Sequence, residues 1–366
     1  RSVDSLDTEP TRGFQFSGLL VFEDPVRESV PEAIAACRQA GIHIVMVTGD
    51  HPTTASAIAR RIGLGQGEPR VVSGELFASG ELGNLSFREI DVVSRAVPSQ
   101  KVEVVRALQQ SGEVVAVTGD GVNDVPALKA SDISFAMGRR GTRSARETAD
   151  IVLLDETFNT ITRAIAEGRQ MFENLRLGFA YLLLVHIPLV ATAAFIPLAG
   201  YPLLYLPIHI VWLELVIHPT VLLAFQADSP DGALAPVNRT AARFFSTRNW
   251  IAIALLGFGT TAMIAAAYDR SLGDTASVDH GRSMALALLT LGSAAIVISL
   301  RGLRSGAALA ISSLTVLMTA VFVQLPVLDN LLHLAPLHVD DWLIACAGAL
   351  VIGAGTRFGG FVNARR

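Results

Sequence analysis

Six apolar stretches in the second half of the chain constrain its fold more than any other sequence feature. A helix needs roughly 17–25 residues to cross the hydrocarbon core of a bilayer, and all but the last stretch approach or reach that length. A backbone in lipid has to satisfy its own hydrogen bonds, so the sequence predicts an all-α transmembrane helix bundle over residues 177–356. The stretches cover residues 177–198, 203–225, 250–268, 284–300, 307–324 and 342–354.

The first half of the chain has the charge density and the punctuation of a globular domain. Short β-branched or apolar runs alternate with helical segments, which is the pattern of an α/β Rossmann-like fold with a parallel sheet. The predicted strands cover residues 18–22, 42–47, 92–97, 113–117, 133–136 and 151–154. We therefore expect an α/β domain over residues 1–160, a stalk helix over 161–176 and a short tail over 357–366.

Two of the predicted strands end in the same tripeptide. Thr48-Gly49-Asp50 follows one strand and Thr118-Gly119-Asp120 follows another, and ligand sites in parallel sheets lie beyond the carboxyl ends of the strands. Each tripeptide alone could be a polar turn in which the aspartate caps a helix. Both tripeptides together, with Lys101 between them and a Gly-Asp-Gly-Val-Asn-Asp run from Gly119, favour a phosphate site.

The residue types around the second tripeptide suit a magnesium–phosphate site. Asp120 and Asp124 lie about one helical turn apart, and Mg²⁺ is commonly held by one or two carboxylates together with phosphate oxygens. Asn123 adds a polar contact, while Gly119 and Gly121 allow the backbone to approach a phosphate closely. The Thr48 hydroxyl and the Gly49 amide could bind a phosphoryl oxygen, and Lys101 could neutralise its developing charge.

Three segments resemble the phosphorylation domain of P-type cation ATPases, which are members of the haloacid dehalogenase superfamily. They are VMVTGDHPTTASAIARRIGL, PSQK and AVTGDGVNDVPALKASDISFAMG. The resemblance implies a haloacid dehalogenase-like fold, ATP and Mg²⁺ as cofactors, and a function in ATP-driven cation transport through an aspartyl-phosphate. It also implies roles for individual residues: Thr48, Gly49 and Asp50 around the phosphoryl group, Lys101 in contact with it, Asp120 on Mg²⁺, Asn123 and Asp124 supporting that site, and Asp24 with Arg27 in the hinge to the nucleotide-binding domain.

The family's phosphate acceptor, the first aspartate of a DKTGT motif, does not occur in this sequence. By resemblance, that motif, the nucleotide-binding and actuator domains and the early membrane helices belong to an N-terminal part preceding residue 1. We therefore do not expect the chain alone to complete an ATPase cycle. Two alternatives stay open, a membrane-anchored phosphatase of the same superfamily and a non-catalytic regulatory fragment. Asp155-Glu156-Thr157 echoes the motif superficially and is interpreted as a helix N-terminus.

Four ionisable residues lie inside predicted spans, where their burial in lipid is costly and usually functional. They are His186, His209, Glu214 and His218. The resemblance places His186, Glu214 and His218 in the two helices where calcium and sodium–potassium pumps hold their ions. One carboxylate and two imidazoles suit a transition metal or a proton relay better than calcium. The alternative is a Glu–His pair that only fixes helix packing, and His209 is interpreted as interfacial.

Positive charges predict the orientation in the membrane. Arginines follow the second, fourth and sixth stretches, so the α/β domain and the C-terminus are expected on the cytoplasmic side of the plasma membrane. The expected partners are ATP, a transported cation, the bilayer and the N-terminal part of the same pump. A net charge of -4 gives no indication of nucleic-acid binding. Cys37 and Cys346 lie far apart, which argues against a disulfide framework.

Overall fold

The computed structural model describes residues 15–18, 20, 25–65, 67–80, 86–155, 157–226, 244–275, 277–303 and 305–361. These residues form two compact units. The first contains the described residues up to Arg38 and those from Ile42 to Thr160. The second contains Gln39–Gly41 and the described residues from Ile161 onward.

All strand pairs among the described residues of the first unit are parallel, as predicted. The strands are β1 (Met46–Val47), β2 (Val71–Ser73), β3 (Val92–Ser94), β4 (Ala116–Gly119), β5 (Ile133–Met137) and β6 (Ile151–Leu153). Within the described residues they form two three-stranded sheets, in the orders β1-β3-β2 and β4-β5-β6, rather than the single sheet that we expected. Strand β2 was not predicted, and the predicted strand over residues 18–22 lies largely outside the described residues.

In the described part of the first unit, one α-helix precedes the strands and five connect them. These helices are α1 (Val30–Gln39), α2 (Pro52–Arg61), α3 (Gly74–Ser79), α4 (Pro98–Gln110), α5 (Val125–Ala130) and α6 (Arg143–Thr148). Proline opens both α2 and α4, where its missing N–H removes no helical hydrogen bond. The His51 side chain caps α2 by accepting a hydrogen bond from the Thr53 amide. After α2, Gly63 has a φ of 70°, which suits a left-handed residue beyond a helix end.

Helix α4 packs against the cores of both sheets. Val104 is buried in a cluster with Val93 of β3, whereas the next residue, Val105, is buried with Val115 just before β4. This one helix therefore fixes the position of the two sheets relative to each other inside the first unit. Its first turn is thereby placed near strand ends from both sheets.

Among its described residues, the second unit contains six helices long and apolar enough to cross a membrane, which agrees with the predicted number. They are α7 (Phe158–Leu198), α8 (Pro207–Gln226), α9 (Thr247–Thr275), α10 (Val278–Arg301), α11 (Gly306–Gln324) and α13 (Val339–Phe358), with a short α12 (Pro326–Leu332) between the last two. Helix α7 continues without a break from the predicted stalk region into the first span. The sixth span is longer than the sequence indicated.

Helix α10 lies at the centre of the bundle, with 83% of its most apolar window buried inside the protein. A methyl group at Gly348 of α13 would lie 2.6 Å from Leu288 of α10, and one at Gly353 would lie 3.2 Å from Ala295. Small residues at such positions let two helix backbones approach closely, which is a common basis of helix association in membranes. Leu255, Phe258 and other large apolar side chains on the outer helices remain exposed, as a lipid-facing surface requires.

Candidate phosphate site and membrane ion site

The first Thr-Gly-Asp tripeptide forms a tight polar turn at the end of β1. The Thr48 hydroxyl donates a hydrogen bond to Asp50 Oδ2 at 2.8 Å and accepts one from the Asp50 amide at 3.1 Å. The backbone of the turn is tied to the end of β3, because the amides of Ala96 and Arg95 donate to the carbonyls of Thr48 and Asp50. The turn therefore has a fixed position beside the start of α4.

The second tripeptide leads into a short 3-10 turn, Val122–Asp124, that opens α5. The Asp124 carboxylate folds back over this loop and accepts hydrogen bonds through Oδ2 from the amides of Gly121 at 3.1 Å and Asp120 at 3.3 Å. The close packing requires glycine at position 119, where a Cβ atom would lie 2.5 Å from Asp124 Cβ. Gly119 thus allows Asp124 to pack against the loop, in addition to allowing a ligand to approach the loop backbone.

Lys101 and Asp124 connect the two strand ends. Lys101 lies in the first turn of α4, and its Nζ is 2.7 Å from Asp124 Oδ1. The side chains are only 21% and 17% exposed, so this is a partly buried ion pair rather than a surface contact. The residues are 23 positions apart in the sequence, and their contact brings the ends of β3 and β4 together. Because β1 pairs with β3, the first tripeptide lies at the same edge.

Asp120 differs from Asp124 in that its carboxylate has no partner among the described residues. It is exposed, as is the side chain of Asn123, while the Asp120 carbonyl accepts a hydrogen bond from the Thr142 amide at 2.8 Å. A backbone held in place and a free carboxylate suit a hard cation such as Mg²⁺, which binds carboxylate oxygens and retains several waters. The donor set therefore fits magnesium, because the Asp120 carboxylate is available as a ligand while Asp124 braces the loop.

Sequence reasoning did not single out Thr142, which fixes Asp120 from the loop after β5. Its hydroxyl also caps α6 through the Ala145 amide at 3.3 Å. Threonine is a preferred residue at a helix start, so the sequence offered a signal for the cap of α6. Nothing in the sequence indicated the contact of Thr142 with Asp120. Of the two predicted hinge residues, Arg27 lies at the turn before α1, and Asp24 lies outside the described residues.

In the membrane unit, His186 of α7 and His218 of α8 approach the same carboxylate. His186 Nε2 lies 3.4 Å from Glu214 Oε1, and His218 Nδ1 lies 2.8 Å from Glu214 Oε2. At 2.8 Å, His218 Nδ1 is close enough to Oε2 for an ion pair, but its direction of approach does not make a hydrogen bond. The buried Oε2 therefore has no hydrogen-bond partner among the described residues. The sequence prediction that these side chains converge is consistent with this geometry.

Both imidazoles also contact their own helices, which keeps the packing interpretation open. His186 Nδ1 is 2.9 Å from the Leu182 carbonyl, and His218 Nδ1 is 3.2 Å from the Glu214 carbonyl. His209 lies in the first turn of α8, near a helix end as predicted, but its side chain is only 1% exposed and packs inside the protein. Its Nδ1 accepts from the Leu206 amide and its Nε2 donates to the Leu332 carbonyl, a pairing that fixes the neutral tautomer.

Family profiles match both units of the chain. A haloacid dehalogenase-like hydrolase profile matches residues 3–132, and a second profile of that description matches residues 100–165. The profile for the C-terminus of cation-transporting ATPases matches residues 202–356. The order of these matches is that of one family. The chain is a homologue of P-type cation-transporting ATPases and carries their C-terminal module.

Individual relatives in this ATPase family agree over most of the chain. A calcium-transporting ATPase of Bacillus subtilis is 32% identical over 89% of the chain. A cation-transporting ATPase of Synechocystis is 34% identical over 94% of the chain, and a sodium/potassium-transporting ATPase α-1 subunit of Catostomus commersonii is 37% identical over 61%. The chain spans 38% of the Bacillus relative and 40% of the Synechocystis relative. The haloacid dehalogenase-like unit and six apolar helices make this homologue a multi-pass membrane protein.

Proposed function

We propose that this chain supplies the second half of the catalytic site and part of the transport path of an ATP-driven cation pump. In that pump, the γ-phosphoryl group passes from ATP to an aspartate carboxylate in an N-terminal part, releasing ADP. Water then cleaves the acyl phosphate and regenerates the carboxylate. Residues 1–160 are the phosphorylation domain in this proposal, residues 161–176 the stalk, residues 177–356 the transport domain, and residues 357–366 a cytoplasmic tail.

The observation that carries the proposal is the contact of Lys101 with Asp124. A cation in the first turn of a helix opposes the helix dipole, so its placement there requires a compensating anion. Asp124 provides that anion and also orders the loop that presents Asp120. Lys101 thus lies between the two Thr-Gly-Asp turns, where it can contact a phosphoryl oxygen with little further rearrangement.

Each residue has a definite task in the proposed site. Thr48 and the Gly49 amide contact a phosphoryl oxygen, and Asp50 orients the Thr48 hydroxyl through the hydrogen bond described above. Lys101 stabilises the charge that develops on the transferred group. Asp120 holds Mg²⁺, with Asn123 beside it, and the bound ion neutralises charge on the phosphoryl oxygens. Asp24 and Arg27 belong to the hinge towards the nucleotide-binding domain.

The transported cation is proposed to bind between α7 and α8 at Glu214, His186 and His218. The support is the buried Glu214 oxygen, because leaving such an oxygen without a hydrogen bond costs free energy unless an ion or proton satisfies it. Two imidazoles and one carboxylate favour a transition-metal ion or a proton over calcium. Two of the relatives named above are calcium-transporting and sodium/potassium-transporting ATPases by name, so the proposed ion differs from those that their names give.

Labelling of native membranes with γ-³²P-ATP tests the proposed function. The labelled proteins are separated on an acid gel and detected with an antibody against this chain. We expect a hydroxylamine-sensitive labelled band well above 38.8 kDa, since the phosphorylated aspartate belongs to the N-terminal part. An unlabelled band near 38.8 kDa would refute the proposal and favour a non-catalytic regulatory fragment. Label on a band of that size would instead favour a phosphatase with its own nucleophile.

A further inference from the structure

The N-terminal ends of α10 and α13 bring two histidines and an aspartate together, at a place separate from Glu214. His280 Nε2 lies 3.1 Å from Asp341 Oδ2, and His338 Nδ1 lies 3.5 Å from the same oxygen. One donor atom from each of these three residues lies within 4.8 Å of the other two. The residues are spread over 61 positions, so no local motif reveals the cluster in the sequence.

Further hydrogen bonds, in addition to the contacts among the three donor atoms, hold the cluster in place. The His338 amide donates to Asp341 Oδ2 at 3.0 Å, which fixes the start of α13. The segment before it is tied down twice, by the Ala335 amide donating to the Ser283 hydroxyl at 3.0 Å and by the Gln324 side chain donating to the Leu337 carbonyl at 2.8 Å. The three side chains are therefore preorganised by contacts with α10 and α11.

We propose that His280, His338 and Asp341 form a binding site for a zinc-type divalent transition-metal ion. Zinc with four ligands at about 2.0–2.1 Å spaces its tetrahedral donor atoms roughly 3.3 Å apart, close to the two shorter separations found here. Two imidazole nitrogens and one carboxylate oxygen form a donor set that zinc prefers and calcium does not. Three protein ligands leave the fourth position for water.

The burial of the three residues favours binding from the aqueous side. The side chains of His280 and Asp341 are 8% and 10% exposed, whereas that of His338 is 80% exposed. An ion can therefore enter beside His338 and reach two ligands that are shielded from competing water. By the membrane orientation proposed above, this end of the bundle is extracytoplasmic, which makes the site a sensor or stabiliser for external metal rather than a part of the transport path.

The imidazole of His280 can become a metal ligand at small cost. Its buried Nδ1 has no hydrogen-bond partner among the described residues, so no second contact fixes the ring proton on Nε2. Moving that proton to Nδ1 breaks only the hydrogen bond to Asp341 and leaves the Nε2 lone pair directed at the cluster. A helix clamp without metal explains the contact of His280 with Asp341, but it gives no role to the second imidazole at the same oxygen.

Calorimetric titration of the full chain in detergent with Zn²⁺ tests this site. We expect one equivalent to bind in a Glu214→Gln parent, and its affinity to fall by at least about tenfold when His338→Ala is added, which removes an exposed side chain and leaves the helix cap in place. Asp341→Asn keeps the shape of the cap and should weaken binding similarly. His333→Asn is the matched control, because it removes a nearby exposed imidazole outside the cluster and asparagine tolerates the positive φ at that position.

All variants are measured in a Glu214→Gln background, so that zinc at the α7–α8 site does not contribute. The site would be refuted if His338→Ala bound Zn²⁺ as tightly as the parent, or if the parent took up no Zn²⁺ at concentrations up to 1 mM, a weak-binding limit of about 4 kcal/mol. Since the readout is metal binding and not ATP hydrolysis, a failure here leaves the proposed pump function untouched, and failure of the phosphorylation experiment leaves this site untouched.

Discussion

At the scale of single residues, Asp120 and Asp124 carry equal charge but have different surroundings. Both oxygens of Asp124 are engaged, one with Lys101 and the other with loop amides, whereas the Asp120 carboxylate is free among the described residues. The sequence indicated both as magnesium ligands, because their spacing and type are the same. Only the fold distinguishes the available carboxylate, which we propose as the magnesium ligand, from the carboxylate that braces the loop.

Replacing Asp120 tests this separation. In the full-length protein that contains this chain, Asp120→Asn should lower Mg²⁺-dependent phosphoenzyme formation by at least about 100-fold, because it removes the charge that holds the ion in a site built for charge stabilisation. Acid-stable ³²P incorporation over a Mg²⁺ titration measures the effect. Glu147→Gln, an exposed carboxylate whose partner Arg143 is one helical turn away, is the control and should label normally. Normal labelling of the Asp120 variant would remove Asp120 from the site.

Gly119 and Gly121 offer a matched pair of substitutions in one loop. A Cβ at Gly119 would lie 2.5 Å from Asp124 Cβ, whereas the closest atom to a Cβ at Gly121 is Asp124 Oδ2 at 3.5 Å. Gly119→Ala should therefore displace Asp124 and destabilise the first unit by about 1–3 kcal/mol, as overpacking commonly does. Gly121→Ala should cost less than about 0.5 kcal/mol. Denaturant unfolding followed by amide exchange in β4 measures both, and equal costs would contradict the packing described.

At the scale of secondary-structure elements, an aspartate connects β5 with the start of β6 in a way that depends on pH. The Ser134 hydroxyl donates to Asp150 Oδ2 at 2.6 Å and the Ser134 amide donates to the same oxygen at 2.8 Å. These hydrogen bonds, the hydroxyl's first, hold the pKa of Asp150 below its ordinary value of 3.8. A carboxylate with a lowered folded-state pKa stabilises the fold above the ordinary pKa, and this contribution is lost as the pH falls through the lowered value.

Ser134→Ala should therefore destabilise β5 and β6 at pH 5–7, with a difference from wild type that shrinks as the pH falls below about 4. Amide-exchange protection of β5, corrected for intrinsic rates, measures the difference at each pH. Ser131→Ala is the control, because the Ser131 hydroxyl donates to the carbonyls of Leu128 and Ile133 and to no carboxylate in the described structure. A loss in Ser134→Ala that stayed constant down to pH 2.5 would show that Asp150 is not the titrating partner.

The pair of helices α7 and α8 allows a test of the proposed ion site. In the full-length protein, Glu214→Gln should abolish ion-stimulated ATP turnover while leaving phosphorylation by inorganic phosphate intact, since it removes one charge in the membrane and nothing at the phosphate site. Thr220→Val is a control on the same helix, where the hydroxyl donates to the Val216 carbonyl one turn earlier. Unchanged ion dependence in Glu214→Gln would favour the interpretation of Glu214 as a packing residue.

The elements that sequence reasoning found are those with strong local signals. The length of the apolar stretches located the membrane helices correctly, because this signal lies within each stretch and needs no distant partner. The short strand β2 and the division into two sheets were missed, since both depend on pairing partners far away in the chain. The Lys101–Asp124 pair and the His280–Asp341 contact are of the same kind, as no pattern of spacing specifies a side-chain contact over such separations.

At the scale of the whole molecule, the number of spans determines which loops share a side of the membrane. The loop between α10 and α11 is short and flanked by Arg301 and Arg304, whereas residues 325–338, between α11 and α13, contain no lysine or arginine. The positive-inside rule therefore predicts that the first loop is cytoplasmic and that the second lies outside. The start of α10, and with it the proposed metal cluster, then shares the outer side with residues 325–338.

Cysteine labelling at one position in each loop tests this orientation. Leu303 and Val327 are 69% and 83% exposed, so cysteines there should react readily without disturbing the core. In a background without Cys37 and Cys346, a membrane-impermeant maleimide applied to intact cells should label Val327→Cys, and it should label Leu303→Cys only after the membrane is permeabilised. The opposite pattern would invert the protein and place the α/β unit outside, where it could not reach cytoplasmic ATP. Labelling of both positions in intact cells would exclude an odd number of spans between these two loops and so contradict α11 as a membrane-crossing helix.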